Sequence, residues 1–152
     1  MNKQSNIDIR KFIDTFEALA RIERHNQTIM GIKKSEARVL LCIDFLSKEK
    51  KCKVNISEIS KNLSITSPST TEFVKNLTNK GYIERHINQN DKRVIEITLT
   101  DEGKKIVQDL KKYFNSLFSG IIERLGIEQS ELLIELLDKV NIYFNEWYSK
   151  IN

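Results

Sequence analysis

The chain is poor in the residues from which small sites and covalent staples are built. Its 152 residues include two cysteines, one proline, five glycines and two histidines. Cys42 and Cys52 lie in or beside a helical pattern without metal-ligand spacing, so neither a disulfide framework nor a zinc site is expected. His25 and His86 are far apart in the sequence, which leaves no histidine cluster for a metal. So few glycines leave little material for phosphate-cradling loops. There is also no nucleophile elbow and no histidine–carboxylate pairing at useful spacing, so no enzyme, cofactor or metal site is expected. No run of about 18 apolar residues is available to span a bilayer. The opening MNKQSNIDIRKF lacks the apolar stretch of a signal peptide, so the expectation is a cytoplasmic protein with no membrane partner.

What is present is an ordinary folded composition, 39% hydrophobic and 30% charged. The net charge of +4 is unevenly distributed. Residues 1–52 hold 11 Lys/Arg against 7 Asp/Glu, residues 53–98 hold 7 against 5, and residues 99–152 hold 7 against 9. The positive side therefore includes the central segment, and the C-terminal third is acidic.

Apolar spacing predicts a first helix over about 8–27 through Ile9, Phe12, Ile13, Phe16, Leu19 and Ala20, with Gly31 breaking the pattern. Ser35-Glu36 opens a second helix that is apolar nearly all round, from Ala37 through Leu46 and including Phe45, as suits a helix buried in the middle of a fold. Lys48 to Lys53 reads as a polar, basic connector. Val54-Asn55-Ile56 reads as a brief strand, and Ser57 as the N-cap of a short helix holding Ile59 and Leu63 inward. Ser64 to Thr66 makes a turn. Thr66 or Ser67 caps the next helix, whose first turn tolerates Pro68 because the missing N–H has no helical partner there. Thr70, Phe73, Val74 and Leu77 form its inner stripe, and Gly81 stops it.

Residues 82–87 and 94–99 show partial period-2 alternation and are joined by the turn-prone Asn88-Gln89-Asn90-Asp91-Lys92-Arg93, which predicts a β-hairpin. Thr100-Asp101-Glu102-Gly103 starts a long helix with an N-cap and an acidic first turn. Gly126 interrupts it, and a last helix begins near Glu128. The two are rich in large apolar residues, among them Leu117, Phe118, Tyr143, Phe144 and Trp147. A helix-turn-helix followed by a basic hairpin is a winged helix, an arrangement suited to duplex DNA. Such a domain needs neither the first helix nor the last two, so the expected outlet for their apolar faces is a second copy of the chain.

The run Leu77, Gly81, Ile83, Arg85, then Asp91-Lys92-Arg93, then Leu99-Thr100-Asp101-Glu102-Gly103 resembles the MarR (multiple antibiotic resistance regulator) family, and the helix order outside it also fits. The resemblance implies a mainly α fold with a small β-hairpin wing: residues 35–99 as the winged helix-turn-helix, residues 1–34 and 100–152 as a helical dimerisation base. It implies a homodimeric transcriptional regulator of double-stranded DNA, a repressor relieved by a small-molecule effector. Segment 67–80 becomes the recognition helix in the major groove and 88–93 the wing in the minor groove, with Arg93 held by Asp91.

The residues expected to meet DNA are Ser67, Ser69, Thr70, Thr71, Lys75 and Asn76 on that helix, Lys61 on the preceding one, and Asp91, Lys92 and Arg93 on the wing. Short hydroxyls at a helix N-terminus approach phosphates, Lys75 suits a guanine edge or a phosphate, and Asn76 suits adenine. A guanidinium in a narrow A·T-rich minor groove meets concentrated negative potential. Glu72 reads first as the partner of a neighbouring lysine and second as an acceptor from cytosine. Phe12, Phe16, Arg21 and Arg24 are the residues on hand for an effector pocket, although aromatics at helical spacing usually pack. The alternative is a winged helix used as a protein-interaction or architectural module, against which Lys92 and Arg93 at the tip argue.

Overall fold

The computed structural model describes residues 8–50 and 53–151. Cys52 and the first seven residues, on which two of the readings above bear, lie outside them. The element order is α1 (Ile9–His25), β1 (Thr28–Ile29), β2 (Ile32–Lys33), α2 (Lys34–Lys50), β3 (Val54–Asn55), α3 (Ile56–Leu63), α4 (Ser67–Asn79), β4 (Ile83–Ile87), β5 (Ile95–Leu99), α5 (Asp101–Leu125) and α6 (Ile127–Ile151). The described residues fall into two compact units, one ending at Leu110 and the other beginning at Lys111. The division falls inside α5, whose first turns belong with the winged helix through the buried Gly103, Val107 and Leu110.

The first unit is built around α2. Ala37, Val39, Leu40, Cys42, Ile43 and Leu46 are buried, because α3, α4 and β5 all pack on this helix. Contact on several sides explains why its sequence is apolar nearly all round. Phe45 departs from that expectation and is 55% exposed. Lys48 and Lys50, expected in a connector, are still helical. Two acids are buried with α2, and each has a lysine partner: Lys80 Nζ lies 2.5 Å from Glu36, and Lys48 Nζ lies 2.9 Å from Asp44. Pairing is what makes a buried carboxylate tolerable, and the first pair ties the start of α2 to the end of α4.

Before α2, the chain forms a hairpin that the glycine signal alone did not reveal. Met30 and Gly31 both have positive φ, 53° and 78°, as a two-residue loop between antiparallel strands requires. The hairpin buries Ile29 and Ile32 against α2.

In the helix-turn-helix, the expected Ser57 cap is displaced by Asn55. Its side chain accepts from the Glu58 N–H at 2.9 Å, while Glu58 accepts from the Asn55 N–H at 3.0 Å, a reciprocal box that starts α3 two residues earlier. Ser64 turns the chain with φ 53°, and Thr66 caps α4 by accepting from the Ser69 N–H. Ser60 and Thr70 are both buried, with hydroxyl oxygens 2.8 Å apart, and this bond fixes α3 against α4.

At the end of α4, the N–H of Gly81 donates to Thr78 and that of Tyr82 to Leu77. This pair of bonds, with Gly81 at φ 75°, is the Schellman termination. The wing follows as the antiparallel pair β4–β5, with Ile83 opposite Leu99 and Ile87 opposite Ile95; β3 joins on the other side of β5, giving the order β3-β5-β4. Its two ends meet at Thr100. The Thr100 hydroxyl donates to the Gly81 carbonyl at 2.7 Å, its N–H donates to the Tyr82 carbonyl at 3.1 Å, and its oxygen accepts from the Gly103 N–H at 3.0 Å. Gly103 sits so close to the residue before β4 that a Cβ there would lie 1.9 Å from the Tyr82 carbonyl oxygen.

In α1, no residue is buried. The second unit, formed by the rest of α5 and by α6, leaves Leu117, Phe118, Leu133, Leu137, Phe144 and Trp147 exposed. No helix among the described residues is long and apolar enough to cross a membrane.

Replacing Gly103 by Ala forces backbone to move against backbone, and overpacking of this kind typically costs about 1–3 kcal/mol. Urea unfolding of Gly103→Ala is expected to give an unfolding free energy lowered by that amount; a value equal to wild type would remove the clasp from its place in the fold.

Candidate nucleic-acid interface

The first turn of α4 begins with Ser67, Pro68 and Ser69 after the Thr66 cap. Ser67 and Thr71 are exposed, and Ser69 and Asn76 are half-buried. The Thr71 hydroxyl donates to the Ser67 carbonyl at 2.9 Å, and the Thr66 hydroxyl donates to Ser69 Oγ at 2.9 Å. Ser69 therefore keeps its own proton for an outside acceptor, beside N–H groups at the positive end of the helix.

Thr70 is corrected. It is 0% exposed, and its hydroxyl is engaged with Ser60 and the Thr66 carbonyl. It belongs to the core of the helix pair and not to its outer face. Spacing also puts this residue on the inner stripe of α4, and burial decides for that assignment.

The cations divide into two groups. Lys50, Lys53 and Lys80 are paired with Glu58, Glu96 and Glu36. Lys61, Lys75, Lys92 and Arg93 are exposed and have no ion pair among the described residues. Glu72 is exposed and likewise unpaired, so the expected partnership with Lys61 or Lys75 is not formed.

The wing tip differs from expectation in one detail. Asp91 does not hold Arg93 by its guanidinium; its Oδ1 accepts from the Arg93 backbone N–H at 3.0 Å. Short acidic side chains readily bond the main chain two residues on, and here that local bond wins over the long-range ion pair. Arg93 and Val94 share a cleft of about 250 Å³ with Asn55, Ile56 and Ser57, so Arg93 emerges beside the start of α3.

Residues that the sequence did not flag complete the site. Asn88 Oδ1 accepts from the N–H groups of Asn90 and Asp91 at 2.8 and 2.9 Å, and its amide donates to Glu96 at 2.6 Å. The Glu96 carboxyl is held below the usual carboxylate range, chiefly by the hydrogen bond from Lys53 and further by Asn88. His86 Nε2 lies 2.9 Å from Thr98 Oγ1 across the same strand pair. The readable signal was Asn88-x-x-Asp91, an asparagine able to bond the amides two and three residues on.

The effector residues show less. Phe12 and Phe16 stack with ring centroids 5.9 Å apart along α1, and both are exposed. Cys42 is buried with Sγ 3.3 Å from Asn62 Oδ1, and burial pushes its thiol pKa up, which favours the poorly nucleophilic protonated form. No group of three or more His, Cys, Asp or Glu among the described residues is placed to hold a metal.

A helix-turn-helix with a pinned turn, followed by a three-stranded wing with bare cations at its tip, is a winged-helix domain. The family model described as MarR family matches residues 32–95, the segment from β2 to the start of β5. The chain is 29% identical over 85 residues to the HTH-type transcriptional regulator YwhA of Bacillus subtilis, covering 56% of this chain and 61% of that one. The HTH-type transcriptional repressor YetL of Bacillus subtilis is 24% identical over 140 residues, covering 88% of this chain and 81% of that one. The solved complex of Streptococcus pneumoniae FabT with DNA superposes with a TM-score of 0.63 at 25% identity, covering 95% of this chain and 97% of that one. The chain thus spans less than two thirds of YwhA's length and nearly all of FabT's.

The Glu58 carboxyl, which closes the cap of α3, is also held below the ordinary value, chiefly by its bond from Lys50. A carboxylate with a depressed folded-state pKa stabilises the fold above the unfolded value of about 4.3 and loses that contribution as pH falls through the folded value. Glu58→Gln is therefore expected to be less stable than wild type at neutral pH. The gap should narrow as urea midpoints are followed down below about pH 4.3; a gap unchanged with pH would remove the charge from the cap's contribution.

Proposed function

We propose that the chain is a homodimeric transcriptional regulator that binds double-stranded DNA at a pseudo-palindromic site. The recognition helix, segment 67–80, enters the major groove and the wing, 88–93, the minor groove. The observation that carries this reading is that Lys61 on α3, Lys75 on α4, and Lys92 and Arg93 on the wing loop are exposed and without an ion pair among the described residues, while other lysines of the same unit are neutralised by glutamates. Ser67, Ser69, Thr71 and Asn76 supply donors and acceptors on the same helix, and Asp91 shapes the loop that carries Arg93. The DNA complex of FabT supports the same use of this fold.

Dimerisation rests on the apolar faces of α1, distal α5 and α6, whose exposed aromatic and aliphatic side chains exceed what a soluble monomer leaves open. Two recognition helices would then meet successive major grooves about 34–36 Å apart. Repression follows from occupying a promoter, as the name of YetL supports. An effector that relieves it would belong on α1, where the Phe12–Phe16 stack runs toward Arg21 and Arg24, a combination suited to an aromatic acid.

Selection of the purified protein on random duplexes at about physiological salt is expected to enrich a two-fold symmetric site. Salt-sensitive binding with no enriched sequence would instead favour an architectural role. Arg93→Ala should weaken binding to the selected site by about tenfold or more and reduce its salt dependence, with the fold intact. Equal affinity and salt slope for mutant and wild type would overturn the wing assignment. Ser69→Ala or Lys75→Ala should instead alter which half-site is preferred. Truncation after Leu125 should abolish a soluble dimer, as read by sedimentation; a soluble DNA-binding monomer would refute the base.

A further inference from the structure

We infer that Asn88 and Glu96 are positioning residues of the wing, holding Lys92 and Arg93 in the pose used on DNA without touching DNA themselves; this rests on the DNA-binding reading above. The last strand pair is Ile87 opposite Ile95, so residues 88–94 form a long polar loop. Main-chain bonds within it are the Asn88 N–H to the Val94 carbonyl and the Val94 N–H to the Asp91 carbonyl, both at 3.0 Å. A polar loop with so little backbone pairing is ordinarily mobile, and ordering it on binding costs affinity.

Side chains supply what the backbone lacks. The carbonyl end of the Asn88 amide receives two loop N–H groups, at 2.8 and 2.9 Å, and Asp91 receives the Arg93 N–H at 3.0 Å. The NH₂ end donates to Glu96 Oε1 at 2.6 Å, and Glu96 Oε2 takes Lys53 at 2.9 Å, the residue leading into β3. The loop is thereby tied through one amide to β5 and on to β3. Only one orientation of that amide works: reversed, its NH₂ would face two N–H donors and its oxygen a carboxylate. The network also accounts for an acid so near the tip. With both oxygens engaged, one by a lysine, Glu96 presents little bare negative charge to phosphates.

The test is a double-mutant cycle on the full chain, read as affinity for the selected duplex at fixed salt, with thermal unfolding as the control for folding. Asn88→Ala is expected to weaken binding about tenfold in the wild-type background and less than about twofold in an Arg93→Ala background. Asn88→Asp alone sets two carboxylates face to face and should also weaken binding. Asn88→Asp with Glu96→Gln exchanges donor and acceptor and should recover wild-type affinity to within about threefold. Additive losses in the cycle would show that Asn88 acts independently of Arg93 and overturn the inference, as would wild-type affinity for Asn88→Ala or failure of the exchanged pair. Wild-type affinity for Arg93→Ala would overturn the wing reading beneath it, a different result from additive losses. Should Asn88→Ala not fold, the exchanged pair against Asn88→Asp decides alone.

Discussion

The contact between Thr100-Gly103 and Gly81-Tyr82 is the constraint on which the rest of the winged helix depends. One hydroxyl closes the hairpin by donating to Gly81 and starts α5 by accepting from Gly103. The Tyr82 carbonyl then occupies the space where any other residue at 103 would carry its Cβ. The end of α4, the base of the wing and the start of α5 are therefore fixed by the same few atoms. Had the contact been looser, the strands could still pair, but their direction relative to α4 would not be set. A recognition helix and a wing must meet a duplex together, so that direction is what makes two elements into one surface.

Charge is partitioned in the same economical way. Glu36, Glu58 and Glu96 each take a lysine, and each such pair sits where two elements join: α2 with α4, α2 with α3, β5 with the lead-in to β3. The Lys50–Glu58 and Lys53–Glu96 pairs reach solvent, where ion pairs are generally weak, and serve geometry more than stability, whereas Lys80 gives the buried Glu36 its partner. Among the cations with no ion pair in the described residues are Lys61, Lys75, Lys92 and Arg93, on α3, α4 and the wing. A modest net charge thus leaves several unneutralised cations on these elements, which net charge alone did not disclose.

Most of the fold was legible in the sequence because its signals are local. Pro68 and Thr66 at the start of α4, Gly81 at its end, and Thr100 before an acidic turn each act within a few residues, and the helix and strand limits follow them closely. Where two local signals competed, the choice was harder. Asn55 wins over Ser57 because Glu58 stands three residues after it to complete a box, and Asp91 bonds the Arg93 main chain because that partner is nearer than the guanidinium. Long-range facts were not legible. Nothing in the neighbourhood of Gly103 says that Tyr82 will lie against it, and the inward turn of Thr70 is defined by Ser60 on another helix. The apolar faces of α1 and α6 were readable as patterns, but what covers them is not written within one chain.

The hairpin of the wing is fixed at its base by the clasp and, separately, at its tip by the side chains of Asn88, Asp91 and Glu96. Its register is anchored at Ile83–Leu99 and at Thr100, a full strand length from the loop, where Gln89 and Lys92 are exposed. Chain length and charge at the tip can therefore drift under selection without disturbing the core. A protein built this way can acquire a new binding site by rewriting a handful of loop residues, while the clasp beneath them stays unchanged through the transition.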